Sequence, residues 1–248
     1  MNLNPKYIAT ISLFGWVTLS LNSCIKENLP RCSGHCSNIT LAGIIIDKTT
    51  NLPLPNITFD ANLNLNGFCI LFCTTYKVGS CKSGYDGRFT LNADIDSTLM
   101  QNFHLVAGAS IPNNYLLYPE LVAPGIQQNL VSQSSVEFFN LDSPEMKNMI
   151  FGFYPKTLLK MNLHRTTPIQ PQNPSVELEI GFDNKTQGAV WGFDQTDFNK
   201  DTTLSIYTSG NIFTSIIVQK FTTSTNVIAV TDSIKCSLRV NNSIDIYY

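Results

Sequence analysis

The segment Asp197-Phe-Asn199-Lys-Asp201 places three oxygen-bearing side chains at alternate positions, and Asp194 stands just upstream. That is the spacing with which a calcium loop opens. A helix-flanked loop of this kind would continue with glycine and close on glutamate, but this chain has Thr202 and Thr208 at those points. An irregular calcium site at Asp194, Asp197, Asn199 and Asp201 and a plain solvated acidic loop are therefore the two readings. The same region carries Phe182, Trp191, Phe193 and Phe198. Exposed rings could stack on sugar faces while amide or acidic neighbours bond the hydroxyls; buried rings would simply be core. Trp191, Phe193 and Phe198 are the candidate ligand-binding residues.

Catalytic signals are sparse. The three histidines, His35, His104 and His164, belong to no His-Glu-x-x-His pattern. There is no Gly-x-Ser-x-Gly elbow and no glycine-rich phosphate loop. No catalytic residue is assigned. A hydrolase would have to assemble its site from distant residues, with His104 or His164 beside a carboxylate in a concave pocket. Cys32-Ser-Gly-His35-Cys36 offers two thiols and an imidazole, donors that suit zinc, but structural zinc sites use tighter knuckles. No resident cofactor is expected beyond the calcium candidate.

The N-terminus sets the context. A basic start ending at Lys6 precedes an apolar run from Tyr7 to Leu21, short for a bilayer span, and then Leu21-Asn-Ser-Cys24. Those four residues resemble the bacterial lipobox, in which an aliphatic residue and a small residue guide lipid transfer to the cysteine. The resemblance implies a signal peptide over 1–23, lipidation of Cys24 and a polar spacer over 24–37. Each buried methylene of an acyl chain contributes about 0.8 kcal/mol, so several chains tether a protein firmly to a membrane. Lys26-Glu27 weakly resembles the surface-export signals of Bacteroidota-type lipoproteins. The expected location is the cell envelope, lipid-anchored to the outer membrane and either periplasmic or surface-exposed.

Seven cysteines are present, and lipidation of Cys24 leaves an even set, Cys32, Cys36, Cys69, Cys73, Cys81 and Cys236. In an oxidising compartment these are candidate disulfide partners, with connectivity open. The formal net charge is -2 and only 14% of residues are charged, so no basic field exists to hold nucleic acid.

Short β-branched and aromatic runs alternate with Asn, Gly, Pro and Asp clusters, which reads as an all-β chain. Ile57, Phe59, Ala61 and Leu63 fall on one face of a strand; Asn64–Gly84 reads as a long excursion carrying three cysteines. Asp86-Gly87 then forms a tight turn. Further strands are expected at Ile39–Ile46, Phe103–Ala107, Tyr115–Tyr118 and Val136–Phe139, and, beyond Ile150, at Val176–Ile180, Ala189–Trp191, Thr203–Tyr207, Thr214–Lys220, Val227–Val230, Ser233–Val240 and Ser243–Tyr248. Ser143-Pro144 opens a helical stretch of about two turns.

Leu41-Ala-Gly43-Ile-Ile-Ile-Asp47-Lys-Thr-Thr50-Asn-Leu-Pro53-Leu54-Pro55, followed by Asp86-Gly87-Arg88-Phe89, resembles the carboxypeptidase regulatory-like domain. The resemblance implies a transthyretin-like β-sandwich without catalytic function, here over 38–148. The cysteine-bearing insertion from Asn64 to Cys81 departs from it. A second β-sandwich is expected over 149–248, giving two tandem antiparallel sandwich domains. The expected function is that of a noncatalytic, membrane-anchored binding or scaffold lipoprotein, glycan-related or adhesive, with a glycan or an envelope protein as partner. The rival is a periplasmic or surface hydrolase.

Overall fold

The computed structural model describes residues 25–32, 34–66, 74–118, 120–121, 134–166, 175–182, 185–193, 201–221 and 227–248. These form sixteen strands: β1 (Ile25–Asn28), β2 (Cys36–Asp47), β3 (Thr58–Leu65), β4 (Thr74–Lys82), β5 (Arg88–Asp96), β6 (Phe103–Ala109), β7 (Tyr115–Leu116), β8 (Glu120–Leu121), β9 (Ser135–Phe138), β10 (Met149–His164), β11 (Ser175–Phe182), β12 (Lys185–Phe193), β13 (Thr202–Ser209), β14 (Phe213–Phe221), β15 (Val227–Lys235) and β16 (Asn242–Tyr247). The protein is all-β, built of sandwiched sheets. Ser143-Pro144 does open a helical segment, but it is a single 3-10 turn over Pro144–Lys147.

Two compact units emerge, and each is discontinuous in sequence. The first comprises Met1–Ile44, Pro55–Ser110 and Ser135–Ile150; the second comprises Ile45–Leu54, Ile111–Ser134 and Phe151–Tyr248. The junction expected after residue 148 lies two residues before the chain leaves the first unit for the last time. Segments 45–54 and 111–134 fall within the second unit although they lie early in the chain.

In the first unit the strand order β1-β4-β3-β6-β9 makes one sheet, and β2 pairs antiparallel with β5. Alternation decides the faces. Phe59, Ala61 and Leu63 of β3 are buried, as are Phe103, Leu105, Ala107 and Ala109 of β6 and Ile39 and Leu41 of β2. Phe59 of β3 and Phe89 of β5 stack with ring centroids 4.1 Å apart, joining the two layers. Asp86 and Gly87 turn the chain into β5 as their types require: Asp86 Oδ1 accepts from Arg88 N at 3.0 Å, and Gly87 takes φ 72°, open to a residue without Cβ. The excursion expected over Asn64–Gly84 contains a full strand, β4, paired with both β3 and β1.

In the second unit β10 is flanked by β13, antiparallel, and by β16, parallel, while β12-β11-β14-β15 forms the opposing sheet. Leu159, Met161 and Leu163 of β10 pack with Leu178 and Ile180 of β11, Leu204 and Ile206 of β13, and Ile216 and Val218 of β14. The strand expected over Ser233–Val240 stops at Lys235. Beyond it the Asn242 amide gathers the carbonyls of Ser237 and Val240 at 3.0 and 3.2 Å, and Arg239 adopts φ 62°, so the backbone curls rather than extends. The last residues rejoin the sheet: Tyr248 N donates to His164 O at 2.9 Å, and Thr166 N donates to Tyr248 O at 2.7 Å.

Candidate functional site

The period of two that buries Met161 and Leu163 sends Asn162 and His164 to the opposite face of β10. Register then chooses their neighbours. Asn162 pairs with Thr203 of β13 and with Asp245 of β16, and His164 pairs with Tyr247. Asp201, one residue before β13, completes the group.

His164 Nδ1 lies 2.9 Å from Asp201 Oδ2, and Nε2 lies 2.9 Å from Asp245 Oδ1. Asn162 Nδ2 donates to the same Asp245 oxygen at 3.0 Å, and Thr203 Oγ1 donates to Asn162 Oδ1 at 3.2 Å. Arg165 N reaches Asp201 Oδ1 at 3.3 Å, and the Tyr247 ring stacks on the imidazole at 4.8 Å. Each bond acts on the charge. Hydrogen bonds to Asp245, first, and to Asp201 raise the His164 pKa above its ordinary value. The same bonds lower both carboxylates, Asp201 through His164 and the Arg165 amide, Asp245 through His164 and Asn162.

Chemically this is an imidazole bracketed by two carboxylates, an arrangement that favours its protonated form. A general base needs one free ring nitrogen facing a nucleophile, and both nitrogens of His164 are engaged by Asp oxygens. The neighbouring hydroxyl, Thr203 Oγ1, is directed to Asn162. A metal ion is no better served, because an imidazole binding metal must offer a bare nitrogen. Among the described residues no group of three or more His, Cys, Asp or Glu could hold a metal ion.

No family model matches the chain. No curated protein matches it either. Among solved structures it is similar to the Bacillus anthracis TIE protein (10% identity, TM-score 0.29), covering 85% of this chain and 33% of that one. The shaft pilin SpaA from Lactobacillus rhamnosus GG gives 10% identity and TM-score 0.31 over 86% and 97% of the two chains. The full-length major pilin SpaD from Corynebacterium diphtheriae gives 9% and 0.26 over 80% and 65%. The chain thus spans about a third of the first and just under two thirds of the last. Likeness at this level carries no functional argument.

Of the residues singled out from the sequence, Asp201 is placed on His164, while Asp194, Asp197, Phe198 and Asn199 lie outside the described residues, as does Cys24. Trp191 and Phe193 are on β12, in register with Leu178 and Val176 of β11. Cys32 and Cys36 form a disulfide, which removes both thiolates from any metal at that motif. Cys81 and Cys236 are free thiols, and Cys69 and Cys73 lie outside the described residues. Burial raises the pKa of Cys81, and likewise that of Cys236, so neither is poised as a nucleophile.

Among the described residues no carboxylate is hydrogen-bonded to His104. Its Nδ1 lies 2.9 Å from Asn66 Oδ1, and its ring stacks on Phe139, itself 67% exposed. The residues that reading the sequence missed are Asp245 and Tyr247. Their signal is faint: both alternate with half-buried Ile244 and buried Ile246 in the last strand, which marks them as outward-facing but names no partner.

Proposed function

We propose that the chain is a noncatalytic binding or scaffold module of the cell envelope, tethered by lipid on Cys24 and presenting its β-sandwich units to a glycan or to another envelope protein. The observation that carries the noncatalytic part is the double engagement of His164: among the described residues this histidine, hydrogen-bonded to two carboxylates, has both ring nitrogens occupied and no nucleophile bonded to it. The rival hydrolase needs the opposite arrangement. Among the described residues no helix is long and apolar enough to cross a membrane, so attachment in this reading falls to the lipidated cysteine. The Gly43, Asp47, Pro53 and Asp86-Gly87 pattern supports a carboxypeptidase regulatory-like identity for the earlier sandwich, within a Bacteroidota-type lipoprotein.

The test is radiolabelled palmitate incorporation and membrane partitioning of the wild type and Cys24→Ala in a bacterium that processes lipoproteins. Label and membrane association present in the wild type and lost in the variant are expected. No label in either would remove the anchor from the reading.

A further inference from the structure

In the first unit a groove of about 410 Å3 runs beside the first half of β2, lined by Asn38 and Thr40 on one side and by Asp142, Ser143, Lys147 and Asn148 on the other. A second hollow of about 280 Å3 shares Lys147 and Asn148 and extends past Gly43 to Arg88. Buried Ile39 and Met146 contribute to the lining, and Pro144 supplies a further apolar surface. A volume of this order is that of a small-molecule site.

What distinguishes the groove is polar capacity left unused. Ser143 sits at the N-cap of the 3-10 turn with extended backbone, φ -65° and ψ 123°, the place where a serine hydroxyl ordinarily bonds a free amide, yet it makes no cap bond. Asp142 and Asn148 are held through their backbone amides, to Asn140 Oδ1 and Glu145 O, and among the described residues no partner engages the carboxylate or the side-chain amide. Asn38 Nδ2 donates to Asp94 and Thr40 Oγ1 donates to Asn92, each at 2.9 Å, so the Asn38 carbonyl oxygen and the Thr40 lone pairs are also available.

The types present select the ligand. Amides and a carboxylate each offer two polar points at the spacing of adjacent hydroxyls, and the exposed Pro144 ring suits a sugar's C–H face. One carboxylate and one ammonium balance, so neither an anion nor a cation is favoured. We propose that this groove binds a neutral carbohydrate of one or two sugar units, a proposal that rests on the binding-module reading and names its ligand class.

The test is saturation-transfer NMR on the full chain in detergent micelles with maltose, lactose and N,N′-diacetylchitobiose. At least one sugar is expected to bind saturably with a Kd of about 1 mM, weakened about tenfold or more by Asp142→Ala/Asn148→Ala and unchanged by Phe139→Ala. Both variants alter exposed side chains, and circular dichroism checks that they fold. No transfer from any of the three sugars overturns the proposal, as does transfer that survives in the groove variant or disappears in Phe139→Ala. Repeating the titration on Cys24→Ala separates the two readings: a failed anchor leaves sugar binding intact, and a failed groove leaves lipidation intact.

Discussion

The two units treat their polar side chains differently. In the second, several polar groups bond one another. His164 takes two carboxylates, Asn162 serves Asp245 and Thr203, and Thr208 and Thr214 bond hydroxyl to hydroxyl at 2.7 Å inside the core. The Asn242 side-chain nitrogen lies within hydrogen-bond distance of four oxygens, those of Ser237 and Val240 in the 237–241 bend and of Thr157 and Leu158 on β10. In the first unit the Asn38–Asp94 and Thr40–Asn92 pairs and the uncapped Ser143 leave donors and acceptors turned toward a groove. A closed polar network holds a fold together, whereas an open one beside a cavity is available to a ligand.

If that contrast is right, the first unit owes its stability to apolar packing and little to its outward polar residues. Phe59, fully buried and stacked on Phe89, is the sharpest probe: Phe59→Ala should cost about 3–5 kcal/mol, while Asn38→Ala should stay within about 0.5 kcal/mol. Urea denaturation followed by circular dichroism reads both. An Asn38→Ala loss as large as that of Phe59→Ala would show the groove residues to be structural. The next largest effect belongs to the second unit, where Thr214→Val removes one of two mutually bonded, buried hydroxyls and leaves Thr208 Oγ1 without that partner. The expected cost is about 1–3 kcal/mol, and replacing both by valine should recover part of it. A neutral single variant would mean that the network contributes nothing.

How far these arrangements were legible in the sequence follows from the range of the forces involved. Local chemistry read correctly: Asp86-Gly87 makes its turn, Phe59, Ala61 and Leu63 alternate into the core, and Pro144 starts a helical turn, because each depends on residues within a few positions. β4 was missed because Thr74–Lys82 has no clear alternation; none of its side chains is fully buried, and its strand character comes from β3 and β1 on either side. The His164–Asp245 contact was out of reach for a different reason. It joins residues 81 positions apart through a parallel register, and a shift of one residue would have turned Asp245 to the other face. Asp201 stands out in the sequence by its spacing to Asp197 and Asn199, which lie outside the described residues, whereas the partner it bonds is a histidine 37 residues earlier that no local pattern names.

The smallest effect is electrostatic and gives the contrast its pH dependence. His164 is raised in the folded state by Asp245 and Asp201, so its contribution to stability is full below about pH 6.5, the unfolded imidazole value, and is lost as pH rises through the higher folded value. Asp201 and Asp245 are lowered, so their contribution is present above about pH 3.9 and is lost as pH falls through their folded values. The clamp therefore acts most strongly between those limits. His164→Gln should be less stable than the wild type there, with the gap narrowing toward alkaline pH and shrinking in high salt, as expected of exposed charges. An imidazole NMR titration in the wild type should show a midpoint above the ordinary histidine range that falls toward it in Asp201→Asn/Asp245→Asn. A midpoint indifferent to both carboxylates would mean that His164 is not held as an imidazolium, and a free ring nitrogen would return it to contention as a base.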